Sequence, residues 1–444
     1  MKVPEIQVGI LTGEDISFTL NGLFHATGLD ISLDGWYRAT WSGNKIKLGN
    51  DTWKAECEGG LILSPADESN TSFKLHSVII GMNFHWERRE DQVFRGKLRL
   101  IIENNKITAV NILSIEDYLV SVISSEMSAN SSAELLKAHA VISRGWLLAQ
   151  MEKQSNSGKE TVRYNTSIIT EDEIMRWYDR EDHINYDVCA DDHCQRYQGI
   201  TRASTSSVEK AVSETSGEVL TYNGTICDTR YYKCCGGLSE LFENVWEPVN
   251  HPYLRSITDF DKTPEGYDLD LTNETNARLW IKGNPGSFCN TIDKKVLSQV
   301  LNDYDQETND FFRWKVTYSQ ADLTDLVRAR TGIDFGLITD LIPLERGTSG
   351  RIIRLKIVSS EKTIVIGKEL EIRKALSRTH LYSSCFFVEK RNYENSILFT
   401  LIGAGWGHGV GLCQIGAAVM GSIGYKYHEI LMHYFRGAHL ERRY

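Results

Sequence analysis

The segment NILSIEDYLVSVISSEMSANSSAELLKAHAVISRGWLLAQ, residues 111–150, decides the reading of the whole chain. In its first half Ile115, Leu119, Val122 and Ile123 recur at steps of four, three and one, which is one face of a 3.6-residue period. In its second half Leu135, Ala138, Ile142, Trp146 and Ala149 repeat that pattern, and Ser132 is placed to cap it. The spacing predicts two helices with a break between them. In the break stands a single acid, Glu126, among Ser124, Ser125, Met127 and Ser128. A carboxyl group so placed can be held rigidly, partly desolvated and kept protonated near neutral pH, as general acid–base work requires. A surface or capping glutamate at a helix junction is the alternative.

Working outward, the totals bound what the chain can be. Its 444 residues amount to about three domains by length, or one elaborated domain. With 41 % hydrophobic residues it can bury a sizeable core. A net charge of −10 argues against a nucleic-acid or anionic-membrane binder, which needs a basic face, and suits a weakly charged polymer such as a sugar chain. No apolar run reaches the roughly 18 residues of a spanning helix, and the first twenty residues lack the apolar stretch of a signal peptide.

Upstream, residues 1–105 alternate polar and apolar in short runs (VGIL, ISFTL, WYRATW, IKLG, LILS, FKLHSVII, KLRLII) punctuated by Gly turns, which predicts a β-rich accessory domain. Downstream, residues 106–444 read as a mixed core with helices packed on antiparallel sheet, an α+β chain overall. A polar, acid-rich insertion at about 153–202 is expected on the surface with one short helix, and a mainly helical insertion at about 277–312. ASTSSVEKAVSETSGEVLTYNG (203–224) reads as helix, Gly stop and strand ending in Asn-Gly, and ADLTDLVRART (321–331) as a helix stopped by Gly332.

Nine cysteines are an odd set for a fully paired framework. Cys57, Cys289, Cys385 and Cys413 are dispersed and read as inert; the others crowd into residues 189–235. DHINYDVCADDHCQRYQG places His183, Cys189, His193 and Cys194 within twelve residues, the donor set of a closed tetrahedral zinc site. Unligated thiols, or a local disulfide between Cys189 and Cys194, remain open on spacing alone.

Two further stretches are rich in glycine. In RYYKCCGGLSELFENVWE (230–247), Gly236 and Gly237 permit a turn that bulkier residues forbid, and Trp246 offers an apolar face on which a sugar ring can stack, or a core residue. GAGWGHGVGLCQIGAAVMGSIGYKYHEILMHYFRG (403–437) fits neither the GxGxxG nor the Walker phosphate loop, and its His428-Glu429 with His433 is not a zincin HExxH. It is a loop that frees backbone N–H groups and presents His408 and Gln414 ahead of a helix, or else a tight packing turn.

These motifs, in this order, resemble the SpoIID/LytB family of sporulation stage II protein D lytic transglycosylases and amidase enhancers. The match runs through Ile115, Glu116, Asp117, Tyr118 and Leu119, then Ser125, Glu126 and Met127, then Leu136 to Val141 and Arg144, the ENVW segment and the GWGHGVG tail. His139 stands where that family often has Gln, Gly145 and Trp146 follow the Arg in place of Thr-Tyr, and Cys413 takes a Ser position. The resemblance implies a peptidoglycan lytic transglycosylase with Glu126 as its general acid and base. Tyr118, Arg144, Gly236, Gly237, Trp246, His408 and Gln414 are then the candidates for holding substrate. It also implies a structural Zn2+ on His183, Cys189, His193 and Cys194, and a place in the cell envelope or periplasm. Glycan strands are the expected partner, together with a cell-wall amidase if the chain is instead a non-catalytic enhancer. A zinc hydrolase is disfavoured, because four filled ligand positions leave no open one.

Overall fold

The computed structural model describes residues 2–29, 31–80, 88–128, 130–156, 165–177, 183–191, 194–201, 204–300, 310–393 and 396–444. Among them the chain is α+β with a β-rich N-terminal part, as expected. It divides into two compact units, residues 1–129, 180–218 and 442–444 forming one, and residues 130–179 and 219–441 the other.

The first unit is built on ten strands: β1 (Glu5–Gly13), β2 (Asp15–Ala26), β3 (Ile31–Ser42), β4 (Lys45–Gly49), β5 (Lys54–Glu58), β6 (Gly60–Pro65), β7 (Ser72–Ile80), β8 (Arg88–Phe94), β9 (Lys97–Glu103) and β10 (Lys106–Ser114). They pair antiparallel in the order β5-β4-β3-β2-β6-β9-β10-β1. Ile16, Phe18 and Leu20 of β2 turn to the core on alternate positions, the two-residue period that marks these segments in the sequence. The strand changes partner midway, Phe18–Asn21 pairing with β7 and Phe24–Ala26 with β6, and the shift falls at Gly22, whose φ of 91° admits no ordinary side chain without strain. The alternation misses β10 for a physical reason. Ile107 to Asn111 are buried on both faces, so the strand has no polar side to give it away.

From β10 the chain enters helix α1 (Ile115–Glu126) through Ser114, whose hydroxyl accepts from the Asp117 amide at 3.1 Å. Ile115, Leu119, Val122 and Ile123 are all fully buried, as their spacing predicts. Ser206–Glu214 forms the expected second helix of this unit, stopped before Gly217.

The second unit opens with helix α2 (Ala133–Asn156), and Ser132 caps it with its hydroxyl 3.3 Å from the Leu135 amide. Leu135, Ala138, Ile142 and Trp146 are buried as expected and Ala149 is half-buried. Leu136, Ala140, Val141 and Leu147 are buried too, so α2 is a core helix covered all round rather than an amphipathic one. Two antiparallel sheets follow: Ile338–Arg346, Ile352–Ser359 and Thr363–Gly367, then Arg313–Ser319, Ser396–Ala404 and Phe386–Tyr393. Leu323, Phe335, Leu355, Ile366 and Phe399 share one core cluster between them.

The insertion at 153–202 needs correction. Within the stretch expected to be a polar surface insertion with one short helix, residues 173–176 are instead a strand parallel to Thr363–Gly367, because Ile174 and Met175 are buried there. The hairpin after Gly217 forms as read, with Asn223 and Gly224 at φ 50° and 79°.

Asn111 lies at the centre of the first unit. Its amide nitrogen donates to the Arg95 and Lys97 carbonyls at 2.9 and 3.1 Å, and its oxygen accepts from the Tyr197 hydroxyl at 2.6 Å. Tyr197→Phe removes that donor and leaves a buried acceptor unmatched, a loss of about 1–3 kcal/mol. Urea unfolding should show a lower midpoint at unchanged slope; an unmoved midpoint would show that the bond contributes nothing.

Candidate functional site

Glu126 is the last residue of α1, half-buried, with Met127 closing the helix through its amide to the Ile123 carbonyl. One face of α1 lines an open groove of about 800 Å3 in the first unit. Glu116, Asp117, Val120, Ser121 and Ser124 contribute from α1, and Glu209 and Ser213 from the Ser206–Glu214 helix. That is the size of a small-ligand cleft, with polar groups along it. Tyr118 points the other way. It is fully buried, stacked on Tyr197 at 5.1 Å, and its hydroxyl donates to Gln195 at 3.3 Å.

The His/Cys stretch pairs with the edge of the same unit. Val188 and Cys189 pair parallel with Val8 and Gly9 of β1, and Asp187 accepts from the Gln7 amide at 2.8 Å. The Tyr186 ring lies where a Cβ on Gly9 would be, 2.5 Å away, and stacks on His183. His183, Cys189 and Cys194 thereby bring one donor atom each within 4.8 Å of one another, with His183 Nε2 3.5 Å from Cys194 Sγ. These three fit the start of a tetrahedral set; the fourth expected ligand, His193, lies outside the described residues.

In the second unit the glycine-dense tail runs beside Tyr231–Tyr232, with Leu412–Cys413 parallel to it and Cys234 bridged to Trp406. His408 is fixed by the backbone at both ring nitrogens. Nδ1 accepts from the Val410 amide at 3.1 Å, so the proton sits on Nε2 and is donated to the Tyr231 carbonyl at 3.0 Å. Burial, with the charges of Arg230, Arg373 and Arg351 added, holds its pKa well below the usual range. A neutral imidazole so bonded shapes the loop around it.

Gln414 is buried and meets α2 through His139, Nε2 to Nε2 at 3.2 Å, while His139 Nδ1 lies 3.1 Å from Ser143 Oγ. His139 accepts from the glutamine amide and donates to the serine. Arg144 is fully buried on the same helix. Trp246 is half-buried, with the Arg230 guanidinium 4.3 Å from its ring centroid and the His408 ring edge-on at 5.0 Å. Gly236 and Gly237 adopt φ 74° and 107°, and a Cβ on Gly236 would lie 2.8 Å from the Gly405 nitrogen, so the turn and the tail touch backbone to backbone.

Three residues carry more of this geometry than the sequence indicates. Arg351, fully buried, donates to the Gly407 carbonyl at 3.1 Å and to Ser349 Oγ at 3.0 Å. Glu240, buried before the ENVW segment, accepts from Asn244, Thr348 and Ser349. Thr229 explains Gly145, since its Oγ1 lies 2.6 Å from where a Cβ would stand. Of the three, Arg351 alone directly follows a glycine at positive φ, Gly350 at 78°. The cysteines need correction as well: Cys289 and Cys413, read as dispersed and inert, converge with Cys235 and Asp259 on a second buried group able to hold a metal.

Residues 103–222 match the family model described as Stage II sporulation protein, and residues 240–411 match a domain of unknown function, DUF8618. An uncharacterised protein of Brachyspira hyodysenteriae is 27 % identical over 344 residues, 78 % of this chain and 71 % of that one. Stage II sporulation protein D of Bacillus subtilis is 22 % identical over 332 residues, 75 % and 76 % of the two chains. The Amidase enhancer of Bacillus subtilis is 25 % identical over 246 residues, 53 % of this chain and 32 % of that protein.

The buried His139 generates a pH prediction. Burial, with Lys233 adding, pushes its pKa from 6.5 down to about 3. Its folded value lies below its unfolded one, so its contribution is complete above pH 6.5 and is lost as the pH falls from there toward 3. The loss is on the order of a few kcal/mol. His139→Gln puts a hydrogen-bonding amide in place of the imidazole and removes the titration. Its urea midpoint should fall less between pH 7 and pH 4 than the parent's; parallel falls would assign the acid sensitivity elsewhere.

Proposed function

From the premise that the chain belongs to the SpoIID/LytB family, we propose that it acts on the cell wall as a peptidoglycan lytic transglycosylase. The bond cleaved is the β-1,4 link between N-acetylmuramic acid and N-acetylglucosamine, leaving a 1,6-anhydro end. The observation that supports the reading is the position of Glu126, a half-buried acid that ends α1 two residues beyond Ser124. Ser124 is the last residue of that helix to line the 800 Å3 groove; Glu126 itself is not part of the groove's lining. A hydrolytic glycosidase ordinarily needs two carboxylates across the scissile bond. A transglycosylase needs no external water, because the 6-hydroxyl of the muramic acid attacks its own C1. One carboxyl group then serves twice: Glu126 gives its proton to the leaving glycosidic oxygen, and the resulting carboxylate takes the proton of the attacking hydroxyl. The C-terminal end of a helix is the negative end of its dipole and disfavours a further negative charge, which suits an acid that must start protonated.

His183, Cys189, Cys194 and His193 would hold a Zn2+ that fixes the loop against β1 and supplies no chemistry to the sugar. Half-buried Trp246 is the proposed glycan contact of the second unit, with the buried Gly236-Gly237 turn holding the loop behind it. Tyr118, Arg144, His408 and Gln414 would act from behind, by holding the elements that carry such contacts. The cell envelope is the proposed location, with glycan strands as partner.

A second reading is favoured by the match to the Amidase enhancer and by the internal hydrogen bonds of Tyr118, His408 and Gln414. Here the chain grips glycan and stimulates a separate amidase. Mass spectrometry of products from purified sacculi separates the two. Glu126→Gln should abolish anhydro-muropeptide release, a loss of at least about a hundredfold for a general acid, with the unfolding midpoint unchanged. Equal release by parent and variant would exclude the mechanism. No release by either, with the chain retained on insoluble wall and a cell-wall amidase accelerated, would establish the enhancer.

A further inference from the structure

The interior of the second unit holds a donor set that the proposed glycan chemistry does not use. Cys235, Asp259, Cys289 and Cys413 are all buried, and one donor atom from each lies within 4.8 Å of the other three. They arrive from four separate parts of the chain. Cys235 precedes the Gly236-Gly237 turn, and Cys413 precedes the Gln414–Ser422 helix. Asp259 pairs its amide with the Gly237 carbonyl, and Cys289 follows it through the Phe288 amide on the Asp259 carbonyl.

The contacts around these atoms are those of thiolate ligands. The Cys235 amide points at Cys413 Sγ at 3.3 Å and the Gly237 amide at Cys235 Sγ at 3.3 Å. Donors directed at sulfur stabilise the negative form, the arrangement that surrounds metal-bound cysteines. Asp259 is oriented in the same way, Oδ1 accepting from the Tyr434 hydroxyl at 2.6 Å, Oδ2 from the Cys289 amide at 2.9 Å and Ser287 Oγ at 3.1 Å. Two guanidinium groups close by offset the charge, Arg351 at 3.5 Å from the Cys235 carbonyl and Arg313 at 3.1 Å from the Gly236 carbonyl.

A disulfide is the competing use of two of these cysteines. The Cys235 and Cys289 sulfurs are 3.3 Å apart, well beyond the roughly 2.05 Å of a bond. Tetrahedral zinc with metal–sulfur distances of about 2.3 Å spaces its sulfurs about 3.8 Å apart, inside the spread found here. All nine cysteines are free thiols.

We propose that Cys235, Asp259, Cys289 and Cys413 form a closed, four-ligand site for a thiophilic divalent cation such as Zn2+, separate from the group on His183. Four protein ligands leave no position for water or substrate, so the site is structural. Its effect is to fasten the Gly236-Gly237 turn to the Gly-dense tail through a bond far stronger than the backbone contacts between them. It is independent of whether the chain cleaves glycan.

The test uses the full chain purified without chelator and loaded with Zn2+ alone, with metal counted by plasma mass spectrometry. The Cys189→Ser/Cys194→Ser variant removes the other group and should retain one equivalent; adding Cys289→Ser should remove it. Should the triple variant fail to fold, Co2+ loaded into Cys189→Ser/Cys194→Ser decides, by the presence of sulfur-to-cobalt absorption in the near ultraviolet. A folded Cys189→Ser/Cys194→Ser chain that binds no metal overturns the proposal. So does a two-dalton mass deficit locating a Cys235–Cys289 disulfide in the protein as isolated.

Discussion

The guanidinium group of Arg351 is the constraint on which the second unit's glycine-rich architecture rests. It is wholly buried, and its hydrogen bonds run to the Gly407 and Cys235 carbonyls and to Ser349 Oγ. A buried cation with an unmatched donor is expensive, so every group it touches is obliged to stay. Gly409 follows directly. A Cβ there would lie 2.6 Å from the guanidinium carbon, and the tail can pass only because that side chain is missing. Ser349 transmits the same constraint to Glu240, whose carboxylate it meets at 2.5 Å, and Glu240 fixes the ENVW turn through Asn244. One cation thus orders three stretches that the sequence presents as unrelated motifs.

His139 and Gln414 extend that order into α2. A core helix covered on every side has few ways to communicate with a loop, and a neutral imidazole sharing one hydrogen with a buried amide is one of them. The residue is also where the chain departs from the pattern of the family it resembles. Glutamine could reach the same partner, but it would not titrate, so the substitution introduces an acid-sensitive joint into an otherwise fixed contact.

What was legible in the sequence is what is local. Alternation exposed β2, β4 and β7; the Asn223-Gly224 turn, the Gly332 stop and the Ser132 cap were each declared by residues within a few positions of their partners. The His183, Cys189 and Cys194 group was legible because its donor side chains lie within twelve residues. The Cys235, Asp259, Cys289 and Cys413 group was not, because nothing local distinguishes a thiol that meets another across 178 residues from one packed as a small apolar side chain. Long-range strand pairing was hidden in the same way. Glu173–Arg176 lay hidden in a stretch read as polar surface insertion, because its surrounding polarity outweighed two buried residues whose neighbours come from Thr363–Gly367.

That parallel pairing has a consequence for synthesis. The strand at 173–176 leaves the ribosome about 190 residues ahead of the one that completes its edge, and parallel ladders of such separation are slow to close. The chain passes between its two units at 129–130, 179–180, 218–219 and 441–442, so neither is a continuous piece of polypeptide. An emerging chain therefore has to keep Ile174 and Met175 from wrong partners until most of the molecule exists, and cutting back the C-terminal end by even a few residues takes material from both halves.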